Sequence, residues 1–132
     1  MKKNEGAGII FIHDDKILLL QNDKGLWEIP GGKKNKGEKF LEAAIRETAE
    51  EIGYCPEFKK IGYYIHENNK NKFKIYFGLV DSKFECKISD EHIDWKWANI
   101  DKLPQQLLHV KVAGAIKFLN KNKLTFNNID AV

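Results

Sequence analysis

The sequence has few cysteines, little net charge and no long apolar run, and each of these absences argues against a class of protein. The two cysteines, Cys55 and Cys86, have neither a CxxC nor a metal-binding spacing, so we expect reduced thiols in a cytoplasmic protein. The formal net charge of +3 is too small to indicate nucleic-acid binding by itself. No apolar run approaches the ~18 residues that a membrane span requires.

Motifs that depend on short, fixed spacings are also absent. The apolar run from Ala7 to Ile12 is short and ends at charged residues without a small-residue cleavage site, so we do not expect a signal peptide. No Lys-Ser or Lys-Thr pair follows the glycines at the spacing of a P-loop. No histidine has the spacing of a metal ligand, and we interpret all four as structural or exposed: His13, His66, His92 and His109.

The remaining composition is that of one globular domain. Hydrophobic residues make up 42% and charged residues 31% of the chain, which is an ordinary mixture for a soluble protein. A chain of 132 residues can bury a hydrophobic core without disulfides or metal staples. We find no internal repeat and no linker, and therefore predict a single domain over residues 1–132.

Short alternating or β-branched segments predict six strands. The first two form a hairpin around Asp14 and Asp15, and the continuous apolar run from Leu18 to Leu20 indicates burial on both faces. One helix follows the third strand, and a last helix is predicted over about 106–120. Strands mixed with two helices in this order predict an α+β fold. The predicted strands cover residues 7–13, 16–21, 26–29, 58–67, 72–80 and 93–98.

The stretch over residues 31–54 organises the rest of the chain. Two glycines after Pro30 allow positive φ angles and a close approach of the backbone to a ligand. A helix follows, and Gly53 suits the position just beyond its end. At 100° per residue, one face of this helix is predicted to carry Leu41, Ala44, Ile45, Thr48 and Ile52, and the opposite face Glu47, Glu50 and Glu51.

The three glutamates are unfavourable for the stability of this helix. Glu47 and Glu51 are like charges at i and i+4. All three lie near the C-terminal end, where the helix dipole favours cations. A local rule that is broken without visible gain is where a functional site is expected. A divalent cation such as Mg²⁺ reverses the argument, because it binds carboxylates and bridges to substrate phosphates.

These residues resemble the signature of the Nudix hydrolases. The chain has Gly32, Glu38, Arg46-Glu47, Glu50-Glu51 and Gly53 at the spacing of that signature, and residues 26–33 (LWEIPGGK) resemble the MutT-type entry into it. Thr48 and Tyr54 replace the usual aliphatic residues, and neither change removes a charged group. The resemblance implies an α/β/α sandwich with a mixed sheet between helices.

The resemblance also implies a catalytic chemistry. Mg²⁺ or Mn²⁺ is expected as the cofactor, with Glu50 and Glu51 as ligands and Glu47 as a ligand or the general base; which carboxylate is the base is left open. The Gly31 carbonyl is a further expected ligand, and Arg46 is expected to orient a catalytic glutamate rather than to pair with Glu42. An additional acidic ligand is expected at Asp81, with Glu91 as its rival.

The expected substrate is a small nucleotide. By the resemblance, Glu28 and Ile29 lie near the base pocket, and Gln106 falls where a purine-reading side chain is placed, the alternative being an exposed helix residue. Lys33 begins a basic loop that either attracts phosphate or is a solvated run of charges. We expect hydrolysis of a (d)NTP to a (d)NMP and pyrophosphate. A dinucleoside polyphosphate, ADP-ribose or a nucleotide-sugar, the 5′-triphosphate end of an RNA, and a non-catalytic nucleotide-sensing module are the alternatives. No membrane partner is expected, and the oligomeric state is left open.

Overall fold

The computed structural model describes residues 2–103 and 107–122. Within these ranges the chain forms two α-helices, seven β-strands and a short 3₁₀ turn, Ile100–Lys102. The helices are α1 (Phe40–Ile52) and α2 (Val110–Lys121). The strands are β1 (Asn4–His13), β2 (Lys16–Gln21), β3 (Trp27–Glu28), β4 (Gly31–Lys33), β5 (Lys59–Glu67), β6 (Asn71–Leu79) and β7 (Asp94–Asn99).

The strands form one mixed sheet, as predicted. Strand β1 runs parallel to β6 over nine residue pairs, from Asn4 against Asn71 to Ile12 against Leu79. Every other pairing between the described strands is antiparallel, including β5 with β6 and β2 with β7. A parallel pair needs a long crossover connection, and here that connection carries α1.

Strands β1 and β2 separate soon after their hairpin, and β3 and β4 lie between them. The hairpin pairs only Ile12 with Ile17 and His13 with Lys16. Farther along, β3 pairs with the end of β2, and β4 pairs with the start of β1, where Gly31 faces Gly8. The chain therefore passes at Pro30 from pairing with β2 to pairing with β1, and this change places Gly31 between the two strands.

The predicted glycine loop is therefore a strand, and the reason for its glycines differs from the expected one. Gly31 and Gly32 are not among the residues with positive φ, so that expectation was wrong. A Cβ on Gly31 would lie 2.6 Å from the Ala7 carbonyl oxygen and 2.7 Å from the Gly8 Cα. Close backbone packing, rather than a left-handed conformation, accounts for the glycine at position 31.

The sheet is covered by one helix on each face, which confirms the predicted α/β/α sandwich. Alternate residues of β1 point to opposite faces: Ile9 and Phe11 join the core beneath α1, and Ile10 and Ile12 join the core beneath α2. Leu18, Leu19 and Leu20 are all fully buried, as their continuous apolar run predicted. Neither described helix is both long enough and apolar enough to cross a membrane. Cys55 and Cys86 are free thiols, as predicted.

The bounds of several elements differ from the predicted ones. Strand β1 begins at Asn4, three residues earlier than predicted, and β7 is shifted by one residue. Helix α2 begins at Val110, and the predicted start near Gln106 falls outside the described residues. The end of α1 is as predicted, because Gly53 adopts φ 94° and donates its N–H to the Ala49 carbonyl.

Candidate active site

Helix α1 presents its three glutamates at different depths. Glu51 is only 2% exposed, whereas Ile45 is 40% exposed. The predicted division of the helix was therefore wrong for these two residues. Seven residues make nearly two full turns, so Glu51 lies almost directly above the buried Ala44. Thr48, which replaces an aliphatic residue, is fully buried and donates its hydroxyl to the Ala44 carbonyl at 2.7 Å.

Glu51 is held against strand β4. The Gly31 N–H donates a hydrogen bond to Glu51 Oε1 at 3.0 Å. Burial raises the pKa of Glu51 to about 8, with further contributions from the nearby charges of Glu91, Glu47 and Glu28 and an opposing one from the Gly31 N–H. In the absence of a cation this side chain is therefore partly protonated near neutral pH, and a bound cation would favour its ionised form.

Glu47 lies directly over Gly32. A Cβ at position 32 would come within 2.5 Å of the Glu47 carboxyl carbon, so no other residue leaves this carboxylate where it is. Burial raises the pKa of Glu47, and the charges of Glu50 and Glu91 add to the effect, while the hydrogen bond from Arg46 opposes it. The side chain of Glu50 is more open, at 57% exposure. Glu51 and Glu47 thus lie against β4, and Glu50 lies farther out towards solvent.

Arg46 holds the outer part of this cluster together. Its Nε and Nη2 atoms donate to both oxygens of Glu38, at 2.8 and 3.0 Å. Its Nη1 donates to Glu47 Oε1 at 3.0 Å and to Glu50 Oε1 at 3.1 Å, and Nη2 also donates to the Lys33 carbonyl. The guanidinium of Arg46 holds the pKa of Glu38 at about 2. Among these contacts there is none to Glu42, whose carboxylate instead accepts the Lys39 N–H at the start of α1.

A fourth acidic residue and a histidine reach the cluster from the segment before β7. The Lys87 and Ser89 N–H groups donate to the carbonyls of Ile52 and Glu51 at the end of α1. These bonds satisfy carbonyls that the helix itself leaves free, and they fix the segment against the helix. One ligand atom from each of Glu51, Glu91 and His92 then lies within 4.8 Å of the other two.

His92 is the residue of this site that the sequence did not reveal. Its side chain is 2% exposed, and its Nε2 lies 2.6 Å from Glu28 Oε1. Its Nδ1 lies 3.6 Å from Glu51 Oε2 and has no hydrogen-bond partner within the described part of the chain. It is buried in the acidic cluster. The sequence did not predict this position, because His92 does not have the spacing of a metal ligand. The adjacent pair Glu91-His92 was the only local signal.

The positions of the two rival acids favour Glu91 over Asp81. Asp81 follows the end of β6, whose last residue pairs with Ile12 of β1. The acidic cluster lies at Gly31, opposite Gly8. Four residues of extended strand separate these two points on β1, which is about 13 Å. Glu91 lies beside Glu51, whereas Asp81 is exposed near the other end of the sheet.

The predicted substrate residues are placed differently from one another. Glu28 is tied to His92, and although burial alone would raise its pKa, the hydrogen bond and the positive charges around it lower the value. Ile29 is 4% exposed and packs in the core beneath α2, so we no longer assign it a direct substrate contact. Lys33 is exposed on β4. Gln106 lies outside the described residues.

Two cavities open beside β4 and share a wall formed by Asn4, Glu5 and Lys33. The first has a volume of about 590 Å³, and Lys111 lies 3.9 Å above the Phe73 ring in its wall. The second, of about 610 Å³, is lined mainly by lysines. The first cavity is lined by Asn4, Glu5, Gly6, Gly32, Lys33, His66, Asn68, Asn71, Lys72, Phe73, His109, Val110 and Lys111, and the second by Lys2, Lys3, Asn4, Glu5, Lys33, Lys34, Asn35, Lys36 and Gly37.

A model of the NUDIX domain matches residues 2–120 of the chain. The chain belongs to the NUDIX family. A putative 8-oxo-dGTP diphosphatase of Bacillus subtilis is 32% identical over 103 residues, which is 76% of this chain and 69% of that protein. The asymmetrical bis(5′-nucleosyl)-tetraphosphatase of Rattus norvegicus is 33% identical over 68% of each chain. Other relatives are longer, and the chain spans 31% of a putative Nudix hydrolase of Caenorhabditis elegans.

Solved structures of Nudix hydrolases have the same fold. A Nudix hydrolase of Nitrosomonas europaea superposes with a TM-score of 0.81 at 16% identity, covering 95% of this chain and 74% of that one. A MutT Nudix hydrolase of Burkholderia pseudomallei superposes with a TM-score of 0.70 at 25% identity, covering 89% and 98%. The protein is accordingly a MutT-like Nudix hydrolase with the α/β/α architecture of the family.

The residues of this Nudix site fit a divalent cation. Four carboxylates, from Glu47, Glu50, Glu51 and Glu91, gather at one end of α1, and their mutual repulsion raises the pKa of Glu47 and Glu51 further than burial alone. Carboxylate oxygens are the ligands that Mg²⁺ and Mn²⁺ prefer. Nδ1 of His92, which has no hydrogen-bond partner among residues 2–103 and 107–122, is a further ligand atom directed at this group. An ion here would offset the charge repulsion that remains among these acids beyond the contacts of Arg46 with Glu47 and Glu50.

Proposed function

We propose that this Nudix hydrolase cleaves a phosphoric anhydride bond of a nucleoside diphosphate derivative, using Mg²⁺ or Mn²⁺ held by Glu47, Glu50, Glu51 and the Gly31 carbonyl. The observation that carries the proposal is that Glu47 and Glu51 converge on β4, where Gly32 and Lys33 also line a cavity of about 590 Å³. A bound divalent cation would neutralise the phosphate oxygens and lower the pKa of a coordinated water.

The protein's own contribution is mainly the positioning of charge. Phosphoryl transfer needs the attacking water and the leaving group to be held in line, with little covalent chemistry by the protein. Glu47 is fixed between Gly32 and the Arg46 guanidinium, so its carboxylate has one orientation for binding a cation or accepting a proton from water. Glu51 is fixed by the Gly31 N–H. The exposed Glu50 completes the group on the solvent side.

For the substrate we propose a nucleoside triphosphate, hydrolysed to the monophosphate and pyrophosphate. The similarity to a putative 8-oxo-dGTP diphosphatase supports this choice. So does the composition of the first cavity, where Lys33 and Lys72 offer positive charge for phosphates. A cytoplasmic location stays a prediction.

A dinucleoside polyphosphate is the second candidate, and the lysine-lined cavity favours it. Lys3 and Lys34 are paired with Glu67 and Glu5. Lys36 has no acidic partner among the described residues and lines that cavity. A longer phosphate chain would extend into this basic cavity, and the similarity to the asymmetrical bis(5′-nucleosyl)-tetraphosphatase supports the same substrate.

Substitution of Glu50 and Glu51, two glutamates of the Nudix signature, tests the proposed chemistry. Glu50→Gln and Glu51→Gln should each lower Mg²⁺-dependent turnover by ~10³-fold or more, because each removes a charged ligand from the cation. The matched control is Glu42→Gln, since Glu42 lies on the same helix but contacts only the Lys39 N–H. Circular dichroism checks the fold of each variant. Near-wild-type turnover by both Glu50→Gln and Glu51→Gln would contradict the proposal.

A nucleotide panel, with products separated by chromatography, decides between the two substrates. Release of pyrophosphate with a nucleoside monophosphate identifies triphosphate cleavage, whereas asymmetric cleavage of a dinucleoside tetraphosphate releases a mononucleotide and a triphosphate. Lys36→Ala adds an independent arm. It should lower kcat/KM several-fold for the dinucleoside substrate and leave a nucleoside triphosphate almost unaffected, because Lys36 lines only the second cavity.

A further inference from the structure

The buried Nδ1 atom of His92 needs an explanation. The imidazole is 2% exposed, and Nδ1 has no hydrogen-bond partner among the described residues. Burying a polar nitrogen without a partner costs free energy, and native proteins rarely leave one unsatisfied. The nearest acidic oxygen, Glu51 Oε2, lies at 3.6 Å, which is beyond hydrogen-bond distance. A ligand between them is one way to satisfy both atoms.

The other side of the ring is arranged as it is in metal-binding histidines. Nε2 lies 2.6 Å from Glu28 Oε1, so the carboxylate accepts a hydrogen bond from the Nε2–H group and fixes the orientation of the ring. With Nε2 as the donor, the neutral imidazole leaves the lone pair of Nδ1 free and directed at the acidic cluster. Histidines that bind metals commonly donate their second N–H to a carboxylate in this way.

The distances within the group suit an ion without large movements. The nearest ligand atoms of Glu51, Glu91 and His92 all lie within 4.8 Å of one another. Ligands about 2.1 Å from a common ion are themselves separated by about 3.0–3.5 Å. A contraction of at most about 1.3–1.8 Å from the 4.8 Å limit is therefore enough. Glu91 can supply it because its side chain is exposed.

We propose that His92 Nδ1, together with Glu51 and Glu91, binds a divalent transition-metal ion in this site. This inference rests on the proposed metal dependence, but it adds a nitrogen ligand that the glutamates of α1 do not supply. Imidazole binds transition metals more strongly than it binds Mg²⁺. The enzyme should therefore hold Mn²⁺ more tightly than Mg²⁺, and His92 should be the reason.

The rival explanation is an imidazolium ion that bridges Glu28 and Glu51. In that arrangement both ring nitrogens carry protons, neither binds a metal, and His92 only positions the two carboxylates. Both explanations predict weaker activity when His92 is replaced. A measurement of activity alone therefore does not separate them, and the test must detect the nitrogen on the ion directly.

Electron spin-echo envelope modulation of the Mn²⁺-loaded wild-type protein supplies that measurement. Two samples are compared, one with natural histidine and one with ¹⁵N-labelled histidine. A directly bound imidazole gives ¹⁴N modulation, which ¹⁵N labelling replaces. His92→Gln should abolish the modulation and weaken Mn²⁺ binding at least tenfold, with a smaller loss for Mg²⁺. The control is His13→Gln, since His13 lies at the other end of β1 and contacts the Val80 carbonyl.

The outcomes separate this inference from the proposed function. Mn²⁺ bound through oxygen atoms alone, with Mg²⁺-dependent turnover intact, would overturn the His92 assignment and leave the hydrolase proposal standing. Failure of the wild-type protein to bind any divalent ion would overturn both. If His92→Gln does not fold, the labelled and unlabelled wild-type samples still decide the question, because that comparison needs no substitution.

Discussion

Arg46 determines the geometry of the outer acids, and its contacts explain why an arginine is needed at this position. One planar guanidinium binds both oxygens of Glu38 on one side and the carboxylates of Glu47 and Glu50 on the other. A lysine offers a single charged nitrogen and lacks this planar fork. We therefore propose that Glu38, which precedes the helix, acts as a positioning residue for Arg46.

Arg46→Lys should therefore lower activity without unfolding the protein. We expect a 10- to 100-fold loss in kcat with little change in KM, because the substitution keeps the charge but releases Glu47 from its fixed orientation. Steady-state kinetics measures the split. Glu42→Gln is again the control, since Glu42 does not contact Arg46. An unchanged kcat for Arg46→Lys would show that the orientation of Glu47 is not needed for turnover.

Gly32→Ala should move the Glu47 carboxylate directly. The new Cβ would lie 2.5 Å from the Glu47 carboxyl carbon, so the side chain must leave its place over β4. We expect a loss of turnover of 10-fold or more together with weaker Mg²⁺ binding, measured by kinetics and calorimetry. Gly37→Ala is the comparison: it has an unfavourable φ of 82° but open space around it, so it should cost stability and not metal affinity.

Helix α1 shows what could be read from the sequence at the scale of one element. The acids, Arg46 and Gly53 were identified because they are close together in the chain and their spacing is fixed. The burial of each acid was not predicted, because it depends on how the helix is oriented about its own axis against β1 and β4. Glu51 was assigned to the outer face but lies in the core-facing side, and Ile45 was assigned to the core but is exposed.

The burial of Glu51 predicts an unusual dependence of stability on pH. Its pKa is about 8 in the folded, metal-free protein, compared with 4.5 for an unperturbed glutamate. The folded state therefore binds more protons than the unfolded state between these values, so stability should fall as pH rises from about 5 to 8. The contribution is at most about 1.4 kcal/mol per pH unit.

Urea denaturation of the metal-free protein across this pH range measures the effect. Glu51→Gln should remove the slope due to this residue. The comparison with wild type is needed because burial lowers the pKa of His109, which acts in the opposite direction. Saturating Mg²⁺ should also flatten the slope, since the cation stabilises the ionised carboxylate. A wild-type slope that equals that of Glu51→Gln would refute the assignment.

The two faces of the sheet should respond differently to damage at the scale of the whole molecule. Ile52 and Ile116 are both fully buried, but Ile52 belongs to α1 and Ile116 belongs to α2 on the opposite face of the sheet. Truncation of either to alanine should lower the free energy of unfolding by about 2–5 kcal/mol. Only Ile52→Ala should also weaken Mg²⁺ binding, because α1 carries the acids. Denaturation and calorimetry on both variants test this difference.

The whole molecule also explains which parts of the site escaped prediction from the sequence. The fold class, the hairpin and both helices follow from local patterns, and the structure confirms them. The pairing of β4 with β1 was missed because three residues give no periodic signal. His92 was missed because its role depends on tertiary contacts with Glu28 and Glu51, which lie 64 and 41 residues away in the chain. The choice between Asp81 and Glu91 was also left open by the sequence, because it depends on which end of the sheet each residue reaches.

The backbone bonds from Lys87 and Ser89 to the last turn of α1 have a consequence for assembly of the catalytic centre. A synthetic peptide that copies only residues 31–54 would contain every position of the signature and yet lack Glu91, His92 and the strands that desolvate Glu51. Such a fragment should hold ions no better than any acidic peptide. The site therefore forms only after the segment before β5 and the segment after β6 have docked against each other.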